Sequence, residues 1–464
     1  MGVEGTGFGA IEPPLAAAQP PQRRFNLWAV LGGASVMQEV AFRRYWFARA
    51  LSQAAHNAMV YAFLVLIVRE TGTTIHTSLL LLCFIIPPAT LGSVSGVVSD
   101  RLPRGLLLFS GFLLKGIMAF VFVVSNQGVW MIYVVSLGTA VVGQFSSPSE
   151  SAVLAQVVPR DRLTVANSMY NLGSALGQVM GVLLLAPLFL KTAGAEALFL
   201  ILFFLYLGAA ILVLTVPGIG ILRLPEAQRE GAPRTFQGVR REFAEGWQTL
   251  RRDRTAYVSM FMLVLGSTSL LVATALAPRF SEKVLGVSTE NAVYVFAPAA
   301  IGIFLGLRLV DWLSHRISKP VLVTCGFLLV VFCLVTLALV SRAASTLESL
   351  NPLGIFDPGP FGQTAARIMV TLAFASVAGF AYAMVAVAAR ALLNERIPVS
   401  MQGRVFAAQS VLSNLASIVP LVLAGALADW LGVSPVLIIV AGAVLTLALV
   451  NVLQTWRTPV LQPV

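Results

Sequence analysis

Charge is scarce in this sequence. Asp, Glu, Lys and Arg together make up 11% of its 464 residues, too little polar surface to cover a soluble globule of that length. Cysteine is scarcer still: Cys83, Cys325 and Cys333 are the full set. All three fall within apolar runs and none is paired at metal or redox spacing, which leaves them as core thiols. Histidine is confined to His56, His76 and His315, without H-E-x-x-H or a cluster of intramembrane acids, so a membrane enzyme is excluded and no metal or cofactor is expected. A positive-then-apolar-then-cleavage pattern is also missing from the N-terminus. Residues 1–22 are rich in Gly, Pro and Ala with only two acids, and read as a disordered tail.

What the chain does contain is apolar. Its residues are 58% hydrophobic with a mean hydropathy of +0.86, and twelve runs reach the roughly 17 to 25 residues that cross a bilayer. They lie near 47–69, 77–99, 105–125, 129–150, 163–190, 195–216, 256–278, 291–310, 320–340, 367–389, 404–428 and 433–454. A backbone in lipid must satisfy its own hydrogen bonds, so these runs are predicted to be helices. Residues 26–40 are too short to span and are placed at the interface or against the bundle. Twelve spans leave no room for a soluble enzyme domain.

The basic residues set the orientation. With an even number of spans and a cytoplasmic N-terminus, 23 of the 31 Lys and Arg fall on the inner side and 6 on the outer, a strong positive-inside bias. Eight of the inner arginines lie between 223 and 254. That stretch is read as a positive-inside loop touching anionic lipid, not as a nucleic-acid site.

The same stretch falls after the sixth span, the arrangement expected of an internal duplication. VVSDRLPRG after the second span has a counterpart in RLVDWLSHR after the eighth, aligning Asp100 with Asp311. VVPRDRLTVANSMYNLGSALGQ entering the fifth has one in RIPVSMQGRVFAAQSVLSNLAS entering the eleventh, aligning Pro159 with Pro398. The surplus length of the second half falls in the outer loop at 341–366. The expected organisation is an N-terminal tail at 1–44, a six-helix bundle at 45–216, a basic linker at 217–255, a second bundle at 256–455 and a tail at 456–464. The fold class is all-α integral membrane: twelve transmembrane helices as two pseudo-symmetric six-helix bundles around a central cavity.

Six plus six spans, a basic linker, and the G-x-x-x-D-R-x-x-R element of Gly96, Asp100, Arg101 and Arg104 resemble the major facilitator superfamily. PRDRLTVANS and IPVSMQGRVFA resemble its branch of bacterial drug, macrolide and siderophore exporters. The resemblance spans about residues 45–455. It implies that Asp100 contacts the cytoplasmic start of the eleventh helix, near Gly403 and Arg404, and closes an inner gate. A carboxylate suits such a partly positive helix start. In the second copy Trp312 replaces the first arginine, with Asp311, His315 and Arg316 retained.

Polar residues inside spans are costly and face the bundle interior or a water-filled cavity. Gln53, His56, Asn57 and Tyr61 form one helical stripe. Asn167, Asn171, Ser174 and Gln178 form a second, and Ser410, Ser413, Asn414 and Ser417 a third. The resemblance places these helices along the central cavity, while interhelical hydrogen bonding alone is the alternative. Gly173, Gly177 and Gly181 repeat at a spacing that lets helices approach closely.

Proton coupling needs an embedded group that changes charge. Glu150, paired with Lys115, is the first candidate and His56 the second. The alternative for Glu150 is a structural pair with Arg160 or Arg162, and Arg308 with Asp311 reads as a structural pair.

The expected function is alternating-access, proton-driven export of small amphipathic compounds by a monomer in a bacterial inner membrane. Lysophospholipid or nutrient transport and a non-transporting sensor or scaffold are the alternatives. Asp100→Asn is expected to slow transport without reducing membrane insertion. Wild-type transport by a well-inserted variant, measured in vesicles, removes the gate.

Overall fold

The computed structural model describes residues 34–125, 128–220, 236–343 and 360–456. Twelve helices in it are long and apolar enough to cross a membrane. They are α1 (Val40–Thr71), α2 (Thr74–Arg101), α3 (Arg104–Val124), α4 (Val129–Val157), α5 (Leu163–Thr192), α6 (Gly194–Leu214), α7 (Arg254–Lys283), α8 (Ala292–Ser314), α9 (Lys319–Ala338), α10 (Pro360–Arg396), α11 (Val399–Leu431) and α12 (Val433–Trp456). No strand occurs among the described residues. Each predicted span coincides with one of these helices, and five of them, α1, α2, α7, α10 and α11, run further at both ends. At 1.5 Å per residue the 32 residues of α1 reach about 48 Å, well beyond a hydrocarbon core of about 30 Å. Arg43 and Arg44, expected in the tail, therefore open the first helix.

The packing repeats with a shift of six helices. In the first half α1 packs on α5, α2 on α4, α3 on α6, and α3 on α4; in the second half α7 packs on α11, α8 on α10, α9 on α12, and α9 on α10. The duplication seen in the aligned landmarks is thus carried by which helices touch. Large apolar side chains face outward, as lipid requires: Phe304, Leu184 and Val419 are exposed. Trp130, at the start of α4, and Trp430, at the end of α11, are 82% and 81% exposed, the position of an interfacial aromatic belt.

Two departures from simple spans matter. Residues Ala34–Met37 form a short helix whose Val36 and Met37 pack with Phe42 and Tyr45 of α1, so this part of the 26–40 stretch lies on the bundle; the rest falls outside the described residues. The expected linker contains a helix, Phe236–Arg252. Its buried Leu250 joins the core of the second bundle, and Gly246 packs on the Arg404 backbone at the start of α11.

α5 is locked to α1 along its glycines. A Cβ on Gly173 would lie 2.7 Å from the Trp46 indole nitrogen, and one on Gly177 would lie 2.8 Å from the Ala50 carbonyl oxygen. The Trp46 indole N–H donates to the Met169 carbonyl at 2.7 Å. Beyond Gly177 the chain loosens into a π-helical turn, Met180–Leu185, where a Cβ on Gly181 would overlap the Ala54 carbonyl oxygen. Overpacking backbone against backbone costs about 1 to 3 kcal/mol. Gly181→Ala is therefore expected to lower the thermal midpoint of the detergent-solubilised protein by several degrees, with Gly208→Ala, which has nothing within 4 Å of a new Cβ, as the unchanged reference.

Candidate functional site

Among the described residues, the polar contacts between the two bundles lie on the face away from the linker. There the side chain of Asp429, at the end of α11, accepts from the backbone N–H groups of Thr74 at 2.5 Å and Ile75 at 2.8 Å. These are among the orphan donors at the start of α2, whose own N-cap residue, Thr73, makes no side-chain cap. One turn earlier, Gly425 lets α11 press on Ser78 and Ile75 of α2. The Val293 N–H donates to the Tyr61 hydroxyl at 3.0 Å, and that hydroxyl donates to the Glu290 carbonyl at 3.1 Å. Arg69 pairs with the buried Glu290 carboxylate. Ala275, Val293 and Leu421 of the second half join the apolar core of the first.

On the linker face a charge pair ties the second bundle to the linker helix. Arg404 pairs with Glu245 of the linker helix at 2.6 Å, and Arg241 pairs with the same carboxylate at 2.8 Å. The Arg241 hydrogen bond, aided by the charges of Arg404 and Arg241, holds the Glu245 carboxyl below its usual range. The expected Asp100 contact with α11 rests on side chains outside the described residues, as do Asp311 and Gly403. The remainder of that element is visible. Gly96 lies in α2 and accepts from the Ser99 hydroxyl at 3.0 Å. Arg101 is exposed, and Arg104 reaches the Ala152 carbonyl at 3.5 Å. In the second copy Arg316 lies over the Trp312 ring, 4.3 Å from its centre, so the replaced arginine has become an aromatic platform.

A buried charge cluster occupies the first bundle. Glu150 of α4 is 5% exposed and forms an ion pair with Arg49 of α1. The Tyr45 hydroxyl donates to the Glu150 backbone carbonyl at 2.5 Å, and the Arg49 guanidinium lies 5.1 Å from the centre of the Tyr170 ring. The anticipated partners of Glu150 are thereby corrected: Arg162 pairs instead with Glu39, and the Arg160 side chain is outside the described residues. Lys115 of α3 is 6% exposed, beside Gly143 of α4. It forms no ion pair among the described residues, though it lies within electrostatic range of both Glu150 and Arg49. Arg49 was hidden in the sequence as a topology-setting arginine. Its signal was its place inside the first apolar run, where a cation needs a partner.

The three polar stripes divide by role. In α1, Gln53 is half-buried and its carbonyl accepts from Asn57 at 2.8 Å. The His56 ring lies edge-on to Phe84 at 6.2 Å, and its Nδ1 is buried with no hydrogen-bond partner among the described residues. Tyr61 belongs to the closure contact, not to an open cavity wall. In α5, Asn167, Asn171 and Gln178 are exposed and Ser174 is half-buried. In α11, Ser410 is exposed and Asn414 half-buried, whereas Ser413 and Ser417 are buried. The Ser417 hydroxyl bonds the Ser413 carbonyl and lies 3.2 Å from the Thr268 hydroxyl of α7. For Ser417 interhelical bonding is the observed role, whereas the Ser413 hydroxyl is buried without a hydrogen-bond partner among the described residues.

These features have relatives. The sequence profile of the Major Facilitator Superfamily matches residues 45–362. An uncharacterized MFS-type transporter of Bacillus subtilis, YfiS, is 25% identical over 380 residues, covering 78% of this chain and 80% of its own. Macrolide efflux protein A of Streptococcus pyogenes is 22% identical, covering 85% and 91%. The crystal structure of the nucleoside transporter NupG matches 90% of this chain and 100% of its own, with TM-score 0.65 and 13% identity, a likeness of fold.

Removing the Asp429 carboxylate is expected to loosen the closed face. With the exposure of Asp429 taken into account, the lost caps amount to about 1 kcal/mol, or roughly a five-fold shift toward opening. In a chain whose three cysteines are replaced by serine, Asp429→Ala should raise labelling of Leu421→Cys by an impermeant maleimide added on that face. Unchanged labelling shows that the cap does not hold the closure.

Proposed function

The chain belongs to the Major Facilitator Superfamily and is a multi-pass membrane transporter, not an enzyme; from that premise we propose that it exports small amphipathic compounds by alternating access, driven by proton entry. The observation that carries this reading is the buried Arg49–Glu150 pair, with Lys115 in electrostatic range, set among α1, α3 and α4. An ionised carboxylate in a span is tolerable while it faces a cation. A proton on Glu150 removes the counter-charge of Arg49 and releases α1 from α4, so proton binding and helix movement are one event. Lys115 is then an alternative cation for the carboxylate when the proton leaves, and His56 is the second embedded candidate.

Alternating access requires two closures that are not made together. The contacts centred on Asp429, Tyr61 and Glu290 supply one, away from the linker. The Asp100 element, directed at the start of α11 near Arg404, supplies the other. In the present arrangement Arg404 is held by Glu245 of the linker helix. Export is favoured by the likeness to macrolide efflux protein A. On this reading the bundles are 45–216 and 256–455, the tails 1–44 and 456–464 and the linker 217–255 are cytoplasmic, and the membrane is the bacterial inner membrane. The linker arginines touch anionic lipid and the protein works as a monomer.

Glu150→Gln in proteoliposomes is expected to abolish transport driven by a pH gradient while substrate binding persists. Breaking a buried ion pair costs about 3 to 5 kcal/mol, so an Arg49→Gln, Glu150→Gln double variant separates folding from coupling. A single variant that folds and keeps its full pH-gradient dependence excludes Glu150 as the coupling group.

A further inference from the structure

The second bundle holds a cation that neither the gate nor the coupling cluster uses. Arg390 lies in α10, six residues before its Arg396 end, hence about 9 Å inside the helix terminus at 1.5 Å per residue. Counted among the basic residues of the linker side, it has the simple role of an orientation marker. Its surroundings say more. Arg390 lines a cavity of about 440 Å³ between α7, α8, α10 and α11, a volume in the range of small-molecule sites. Its guanidinium sits 5.3 Å from the centre of the Phe406 ring of α11. An aromatic face steers a guanidinium without consuming its in-plane N–H donors.

Those donors are free for a ligand. Arg390 is exposed to the cavity, and it forms no ion pair among the described residues. The acid nearest along its own helix, Glu395, is engaged by Lys319 of α9. The lining also includes the neutral polar side chains of Tyr382, Asn394, Gln409 and Ser267 and the apolar side chains of Leu263, Leu307 and Val385. An arginine in a largely apolar cleft, with no carboxylate paired to it among the described residues, leaves a positive potential that a low-dielectric wall concentrates.

We propose that this cavity is an anion-binding subsite for the transported compound: Arg390 takes its carboxylate or phosphate, and its apolar body lies against Leu263, Leu307 and Val385. The inference rests on the reading of the protein as a transporter of amphipathic compounds and names their charge. The guanidinium accepts a carboxylate or phosphate bidentately, a geometry that an ammonium does not offer.

Equilibrium binding to the full chain in phosphatidylcholine nanodiscs, without a pH gradient, tests it with two matched pairs. The first is 4-(pyren-1-yl)butanoate and its methyl ester; the second is lysophosphatidylglycerol and lysophosphatidylcholine. The wild type is expected to prefer the anion by about ten-fold in at least one pair. Arg390→Gln should erase that preference while leaving affinity for the neutral or zwitterionic member unchanged, and Arg390→Lys should keep part of it. Preference in the first pair marks a free amphipathic acid, and preference in the second alone marks a lipid headgroup. Equal affinities within both pairs, a preference that survives Arg390→Gln, or no binding of any probe overturns the subsite. Glu150→Gln is expected to leave this binding intact, so loss of proton coupling and loss of anion selection are read separately.

Discussion

Arg49 and Glu150 meet inside an apolar bundle, and much of the first half is organised by the need to keep them together. A lone carboxylate or guanidinium in a span is expensive, whereas a hydrogen-bonded pair is tolerated. α1 and α4 must therefore stay in register, which Tyr45 enforces from the same helix as Arg49 by bonding the Glu150 carbonyl. α1 is held in turn against α5 by the Gly173, Gly177 and Gly181 stripe and by the Trp46 bond to Met169. The pair thus sits on the helix with the densest packing of the first bundle, where a change of charge is felt mechanically.

The contacts between halves obey a second economy. The bundles are apolar toward lipid, so their attachment relies on a few polar contacts and close-packed small residues. Asp429 at the end of α11 caps the start of α2. By the resemblance, Asp100 at the end of α2 is aimed at the start of α11. The same two helices would then carry an acid at opposite ends, each facing the other's positive terminus. Such an arrangement allows one end to close as the other opens, with little change in the helices themselves.

The fold was largely legible because lipid makes the backbone rule severe. Twelve apolar runs had to be twelve helices, and the shared landmarks around Asp100 and Asp311 anticipated the six-helix repeat that the packing displays. Side-chain roles were less legible. Glu150 stood out as an embedded acid, but its partner lies 101 residues away in the chain, and spacing cannot name such a partner. Ser413, Ser417 and Tyr61 have the periodicity of a cavity wall, yet the first is buried, the second bonds Thr268 within the second bundle and the third bonds across the closed face. Asp429 and Arg390 carried no individual signal, since a sequence records that a charge sits near a helix end and not what stands opposite it.

By itself, the amino-acid order determined the helical class, the twelve spans and the duplication. It also set the positive bias of one side, since each follows from local composition and from the cost of an unpaired backbone in hydrocarbon. Only the tertiary structure decided that Glu150 meets Arg49, that the face away from the linker is shut by Asp429 and Tyr61, and that Arg390 faces a cavity with no acid among its described lining residues. Those outcomes depend on the rotation and approach of helices distant in sequence. Close packing of small residues and burial of charge set these, and periodicity along one helix does not specify them.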